Sequence, residues 1–279
     1  MNPSPIIQKR CLTSSSKPIV RKLLESFSIV EKCRDPTFDT GCTYCRPQFP
    51  KGKSIEFDKP LNNTKPKVWK HLLVYTTDVD GNKWPSRIEL APDTFASNIH
   101  PLRKQIQSPL HPVLISNVAL ESHQDPNRFK VVLFPDNLIY YIQKDKIQIF
   151  AELYLKPGAD SHEVAGIDWE KNMNGLILIC GHTQRDERCG IIAPLLKKEF
   201  ELVLNKEGLL YNKYKNPGGI KVGIISHVGG HAFAGNVIYF NTAGQSIWYG
   251  RVFPDKVQGI VNQTVENKTI IQELYRGQI

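Results

Sequence analysis

The chain has 279 residues, of which 41% are apolar, 23% charged and 9% aromatic, the composition of an ordinary globular protein rather than of a low-complexity or collagen-like chain. Its 36 Lys and Arg outnumber 27 Asp and Glu to give a formal charge of +9. Much of that excess sits in residues 1–24, where Lys9, Arg10, Lys17, Arg21 and Lys22 face no acidic residue; the remainder is close to balanced, so no nucleic-acid partner is expected.

No apolar run approaches the roughly 18 residues of a membrane span, the longest being short blocks such as Leu176 to Cys180 and Val222 to Ile225. In chain order, residues 1–30 combine the basic charge with Ser14, Ser15 and Ser16 and with apolar Ile6, Ile7, Leu12, Val20, Leu23 and Leu24. This basic, Ser-rich, acid-poor profile is that of a mitochondrial leader, the alternative being a plain basic tail. Along that route the Asn-x-Thr sequons at Asn62, Asn262 and Asn267 are not glycosylated. Residues 34–67 are rich in Pro, Lys, Asn and Gly and read as an irregular approach segment. Strands are predicted at Val68 to Thr76 and Ile88 to Leu90, a helix from Pro92 to about Gln107, and strands again at Val113 to Leu120 and Phe129 to Phe134. The turn-rich Lys156-Pro157-Gly158-Ala159-Asp160 places a domain boundary there. Residues 31–160 are then a mixed α/β N-terminal domain and residues 161–279 a second domain.

The second half predicts a buried strand Gly175 to Cys180, then a polar loop and a helix from about Ile191 to Asn205. Ile192, Leu195, Leu196, Phe200, Val203 and Leu204 lie on one side of that helix, and Gly208 closes it. Strands follow at Lys221 to Ser226, Asn236 to Asn241 and Ser246 to Arg251, with a last helix from about Pro254. This reads as the β-α-β-β-α order of a thioredoxin-like domain, in which the central strand-to-helix turn usually carries a thiol or metal site. No repeat at a fixed period is evident.

Six cysteines are too few and too unevenly spaced for a disulfide scaffold in a chain of this size. Cys11 and Cys33 stand alone, Cys42 is near Cys45, and Cys180 is near Cys189. The strongest constellation joins Cys180-Gly-His-Thr-Gln-Arg-Asp-Glu-Arg-Cys189 to His227-Val-Gly-Gly-His231. Each segment starts at the carboxyl end of a predicted strand, where ligands collect in open α/β sheets. Two thiols and two imidazoles suffice for a tetrahedral zinc or for a 2Fe-2S cluster in which two His replace two Cys. Gly229 and Gly230 favour a tight loop that lets backbone approach a bound group. The competing reading is that these are packed core residues, as isolated His162 and Cys33 are expected to be. Zinc usually takes cysteines two to four residues apart, closer than this pair. A Rieske site is excluded: Cys180-Gly-His182 fits Cys-x-His, but Cys189 is followed by Gly190-Ile191-Ile192, not by x-x-His.

Cys-x-His-x-x-Arg-Asp-x-Arg-Cys-Gly at Cys180 to Gly190, His-x-Gly-Gly-His-x-x-Ala-Gly-Asn at His227 to Asn236, and Trp-Tyr-Gly-Arg-Val at Trp248 to Val252 are similar to the signature of the sucrase/ferredoxin-like proteins. The resemblance covers about residues 170–265 and is weaker across the first domain. It implies a thioredoxin-like ferredoxin domain whose 2Fe-2S cluster is held by Cys180, Cys189, His227 and His231, a non-Rieske site with a pH-dependent potential. Glycoside hydrolysis is not expected, because no carboxylate constellation for it is present. Arg185, Asp186, Arg188 and Arg251 are candidates for tuning such a site, or for simply locking its loops. Trp248 reads as core.

Cys42-Thr-Tyr-Cys45 is a possible pair of redox thiols, although it lacks the preceding strand and following helix of a thioredoxin site. Gly52-Lys53-Ser54 is not a phosphate loop, because Pro47 stands where the first Gly belongs. The expectation is thus an electron carrier with a redox protein partner and no substrate of its own. The alternatives are a dithiol oxidoreductase using Cys42 and Cys45 beside a structural metal site, and a zinc-stabilised interaction module.

Overall fold

Runs of aliphatic and β-branched residues with no polar alternation, such as Leu72-Leu73-Val74-Tyr75 and Leu176-Ile177-Leu178-Ile179, demand cover on both faces of a sheet, and both runs are fully buried. The computed structural model describes residues 26–78, 80–121, 125–159 and 162–279; the basic stretch of the predicted leader, with Cys11, lies outside them. The elements are β1 (Ser28–Val30), β2 (Lys70–Tyr75), α1 (Phe95–Ile99), α2 (Arg103–Ile106), β3 (Val113–Ala119), β4 (Arg128–Phe134), β5 (Leu138–Gln143), α3 (Ile147–Phe150) and β6 (Ile167–Lys171). Then come β7 (Leu176–Cys180), α4 (Glu187–Lys206), β8 (Lys221–Ile225), β9 (Val237–Phe240), β10 (Ser246–Tyr249), α5 (Val257–Ile260), β11 (Thr269–Ile271) and β12 (Tyr275–Gln278).

The chain is a mixed α/β protein. Ten strands form one sheet in the order β12-β10-β9-β7-β8-β3-β2-β4-β5-β6. Within this sheet β2 with β3 and β7 with β8 are parallel, and all other neighbours are antiparallel. β1 and β11 pair separately.

The two halves of the sheet repeat one topology. β2 to α3 and β7 to α5 both run strand, helical connection (α1 and α2 in one half, α4 in the other), three strands, helix, with the first strand between the second and third. His71 opposes Phe134 as Leu176 opposes Phe240, which makes Tyr75 the counterpart of Cys180 and Val118 that of Ile225. Val118 and Ile225 then pair with each other where the halves join, as a local two-fold requires. The connecting segments differ, so no sequence period accompanies the repeat.

The sheet is folded over along that join. β4 and β9 are five strand steps apart, about 24 Å in a flat sheet, yet the Phe134 and Phe240 ring centroids are 4.3 Å apart. The inner faces close on a shared core of Leu73, Tyr75, Phe134, Leu176, Leu178, Phe240 and Trp248. Leu72 and Val74 face α1 and α3 outside one half, and Ile177 and Ile179 face α4 and α5 outside the other. Each buried large side chain contributes about 1.5–3 kcal/mol of transfer free energy.

Several expectations are corrected. Ile88–Leu90 is a 3-10 turn, not a strand. The predicted helix from Pro92 to Gln107 is broken into α1, a 3-10 turn containing Pro101, and α2, because Pro lacks the amide that would continue the ladder. α4 begins at Glu187, capped by the Asp186 side chain; Cys189 therefore lies in a helix's first turn and not in a loop. The helix expected at Pro254 is a 3-10 turn, then α5, then a wider π turn over residues 261–266. The segment between β1 and β2 carries no helix or strand, as expected, and it drapes over the loops that follow β7 and β8.

Candidate functional site

Cys180 ends β7 beside Ile225, the last residue of the parallel neighbour β8, so the segments starting at Gly181 and Ser226 emerge side by side. Gly181 is required there, because a Cβ would stand 2.6 Å from a methyl of Ile224. The first turn of α4 brings Cys189 back to Cys180, and both are 1% exposed. Hydrogen bonding with Cys189, and then with His227 and the Val228 amide, holds the Cys180 thiol well below its ordinary value, overcoming burial, which acts the other way. Cys189, the donor to Cys180 and itself buried, is pushed well above it. The pair favours one thiolate and one thiol sharing a proton.

The imidazoles form a second pair. The His227 and His231 ring centroids are 5.7 Å apart, with planes inclined by 33°. Gly229 and Gly230, at φ +80° and +72°, reverse the chain between them, a conformation that L side chains rarely adopt. His227 Nδ1 is buried and has no hydrogen-bond partner, whereas His231 is exposed. Among the described residues no three His, Cys, Asp or Glu side chains are gathered closely enough to hold a single metal ion. The arrangement is thiol with thiol and imidazole with imidazole.

Asp186 caps α4 by accepting the Arg188 amide at 3.0 Å, and it also accepts Arg188 Nε and Nη2 at 3.0 Å each. Burial opposes this carboxylate, but Arg188 holds its pKa below the usual value. Arg188 Nη1 continues to the Ser54 carbonyl at 2.7 Å, tying the draped segment to the loop. Arg185 is exposed. Arg251 donates to the carbonyls of Glu56 at 2.7 Å and Lys59 at 2.6 Å and lies over the Phe57 and Phe233 rings. Its contacts clamp the draped segment.

Two residues escaped sequence reasoning. His182 is buried; its Nε2 donates to the Pro85 carbonyl at 3.0 Å and its Nδ1 accepts the His227 amide at 3.1 Å. It fixes the backbone of a candidate ligand. Arg276 is completely buried and donates to Thr64 Oγ1 and O, Gly229 O and Asn236 Oδ1. Its Nη2 lies 2.4 Å from where a Gly230 Cβ would be. Burial lowers its pKa to about 10, opposed by the charges of Cys180 and Cys189. The hydrogen-bond acceptors around it are neutral, and the charges that act on it are those of Cys180 and Cys189. His182 had a faint signal, its place inside the first motif; Arg276, near the chain's end, had none.

Cys42 and Cys45 are not brought to this site. Cys42 is buried against α4, its thiol donating to the Leu195 carbonyl at 3.8 Å, and Cys45 is partly exposed. Cys33 packs against Gly259, and its thiol is pushed up to about 12, chiefly by burial. Trp248 is core, as expected. No helix among the described residues is long and apolar enough to cross a membrane.

A family model described as sucrase/ferredoxin-like matches residues 61–277. The chain is similar to altered inheritance of mitochondria protein 32 of Meyerozyma guilliermondii, 41% identical over 286 residues that cover 93% of this chain and 98% of that one. It is similar to the protein of the same name from Clavispora lusitaniae, 40% identical over 92% of this chain and 98% of that one. A shorter match, 46% identical over 91 residues, 32% of this chain and 29% of the other, is to actin patches distal protein 1 of Saccharomyces cerevisiae. No solved structure matches. With residues 61–277 inside the family match, the chain belongs to the sucrase/ferredoxin-like family.

Proposed function

We propose that the protein is a mitochondrial electron carrier that holds a 2Fe-2S cluster through Cys180, Cys189, His227 and His231. The observation that supports this reading is a thiol pair and an imidazole pair on the two neighbouring segments that leave β7 and β8, with His227 Nδ1 buried and without a protein partner. The donor set fits the group. Thiolates and neutral imidazoles are the ligand types of a mixed Cys/His cluster, and pairs of like donors suit a two-metal group better than one ion drawing on all four. The positive charge of Arg276 offsets the thiolates. The ferredoxin-like family supports the same reading. The cluster-bearing unit is the C-terminal domain, residues 161–279, whose β7-α4-β8-β9-β10-α5 order suits a thioredoxin-like ferredoxin domain; residues 31–160 form a mixed α/β N-terminal domain.

When bound, the cluster supplies one-electron exchange, at a potential that two neutral imidazoles raise above an all-thiolate site. The chain's own residues prepare for it. Cys180 is predisposed to the thiolate, and Cys189 would have to give up its proton to serve as a ligand. Ile55, Val228 and Ala234 keep the thiol end dry, while exposed His231 faces solvent, the side from which a redox protein partner would approach. Asp186, Arg188 and Arg251 hold the surrounding loops, and Arg185 is free to meet that partner. The names of the relatives and the basic residues 1–24 support a mitochondrial location.

Anaerobic purification with iron, sulfide and visible-absorption analysis tests the reading. The expected result is a brown protein with about two irons and two sulfides per chain, whose spectrum shifts in both His227→Cys and His231→Cys. A colourless protein containing zinc overturns it.

A further inference from the structure

We infer that Cys42 and Cys45 form a second redox site, independent of the Cys180 and Cys189 pair. It is a thiol–disulfide exchange site at which partly exposed Cys45 attacks a glutathione-type disulfide and buried Cys42 resolves the adduct. The backbone already brings the two residues to within reach of a disulfide, so that closure needs side-chain rotation only. The Cys45 amide donates to the Cys42 carbonyl at 2.9 Å, so residues 42–45 form a β-turn whose first and last Cα atoms lie within about 7 Å. A disulfide needs about 4.4–6.8 Å. Each thiol is held by a backbone carbonyl, Cys42 by Leu195 at 3.8 Å and Cys45 by Gly41 at 3.9 Å, and the two are close enough for each to feel the other.

The turn is held rigidly. Thr43 Oγ1 donates to the buried Glu199 carboxylate at 2.8 Å and Thr40 Oγ1 donates to the same group. The Thr40 amide donates to Thr43 Oγ1 and the Cys42 amide to Thr40 Oγ1, both at 3.0 Å. Such grips lower the entropy lost on closing the ring. The two thiols are unequal in access: Cys42 is 1% exposed and points its proton at Leu195 O, while Cys45 beside exposed Tyr44 is open to a reagent. Burial, then the contact with Cys45, pushes the Cys42 thiol up to about 11, which suits a resolving thiol that reacts only once its neighbour is linked.

The exchange balances. The Cys45 thiolate attacks one sulfur of the disulfide, forming a Cys45–glutathione bond and expelling one glutathione thiolate. Cys42 gives its proton to solvent and attacks the Cys45 sulfur, forming the Cys42–Cys45 bond and expelling the second thiolate. Two protein thiols are oxidised and one glutathione disulfide is reduced to two thiols.

The full chain, equilibrated anaerobically in glutathione buffers of graded ratio, then acid-quenched, alkylated in denaturant and mapped by mass spectrometry, reports the outcome. A Cys42–Cys45 disulfide is expected in oxidising buffer and is expected to disappear in reducing buffer, with Cys33 alkylated throughout. Cys42→Ser should leave glutathione attached to Cys45, and Cys45→Ser should leave Cys42 unmodified. Full alkylation of both thiols in oxidising wild-type protein, or a disulfide of either with another cysteine, overturns the inference, as does glutathione on Cys42 in Cys45→Ser. None of these readouts depends on iron, so failure here and failure of the cluster reading are distinguishable.

Discussion

Arg276 is buried among neutral acceptors, and its charge is felt at Cys180 and Cys189. Arg276→Met removes that charge, so adding an electron beside it becomes harder by about 1–2 kcal/mol at an effective dielectric near 20. The potential of the iron-loaded protein should fall by about 40–90 mV for a one-electron couple, and Arg276→Lys should move it less; voltammetry of both variants gives the order. His71 offers a pH test. It is completely buried against Trp248 and Phe240, bonded through Nε2 to Ser116 at 2.9 Å, with Nδ1 unpartnered. Burial lowers its pKa from 6.5 to about 3, so below pH 6.5 the unfolded chain takes up a proton that the native state refuses. Stability is therefore complete above that pH and falls as pH drops toward 3, with a slope of at most about 1.4 kcal/mol per pH unit. Urea titrations from pH 7 to 5 should show a shallower slope in His71→Phe. At this scale the candidate ligands were legible because each pair lies within one short motif, so spacing alone announces them. His182 and Arg276 matter through Pro85, Thr64 and Asn236, contacts that only the fold creates.

α4 carries Cys189 in its first turn, so its N-cap is part of the candidate site's architecture. Asp186→Ala leaves the Arg188 amide and guanidinium without their acceptor; a lost cap costs about 1 kcal/mol and a lost, largely buried ion pair adds to that. Thermal unfolding should show a loss of about 1–2 kcal/mol, and iron content should fall in parallel. Asp186→Asn keeps the cap oxygen and should retain most of both. The helix was legible from its apolar face, but its start was placed four residues late, because the capping turn shares its residues with the polar motif. The aliphatic strands β2, β7 and β8 were legible for the same reason that they are buried. β6, with sequence Ile-Asp-Trp-Glu-Lys and mostly exposed, has the pattern of a polar loop; it is a strand because β5 offers it an edge. Short β1, β11 and β12 likewise take their structure from partners far away in sequence.

At the scale of the whole molecule, the folded sheet makes the two halves share one inner core. Cutting the chain at residue 160 would uncover Leu176, Leu178, Phe240 and Trp248 on the C-terminal half, an apolar surface that solvated proteins rarely leave open. Residues 161–279 expressed alone should bind a hydrophobic dye and aggregate. The full chain should unfold in one transition, with tryptophan fluorescence and circular dichroism coinciding; two separated transitions would show that the halves are independent. The repeat of topology was illegible in the sequence because only backbone pairing preserves it: Tyr75 stands where Cys180 does, with no shared chemistry.

The bonds from Arg276 to Thr64 also order events in time. Thr64 and Arg276 stand 212 residues apart in sequence, so the loop carrying His227 and His231 acquires this support only once both segments have been made and brought together. A chain with either segment still inside a ribosome or a translocation pore cannot complete this pocket. Any inorganic group bound there would gain the full support of this pocket only after both segments have emerged and met.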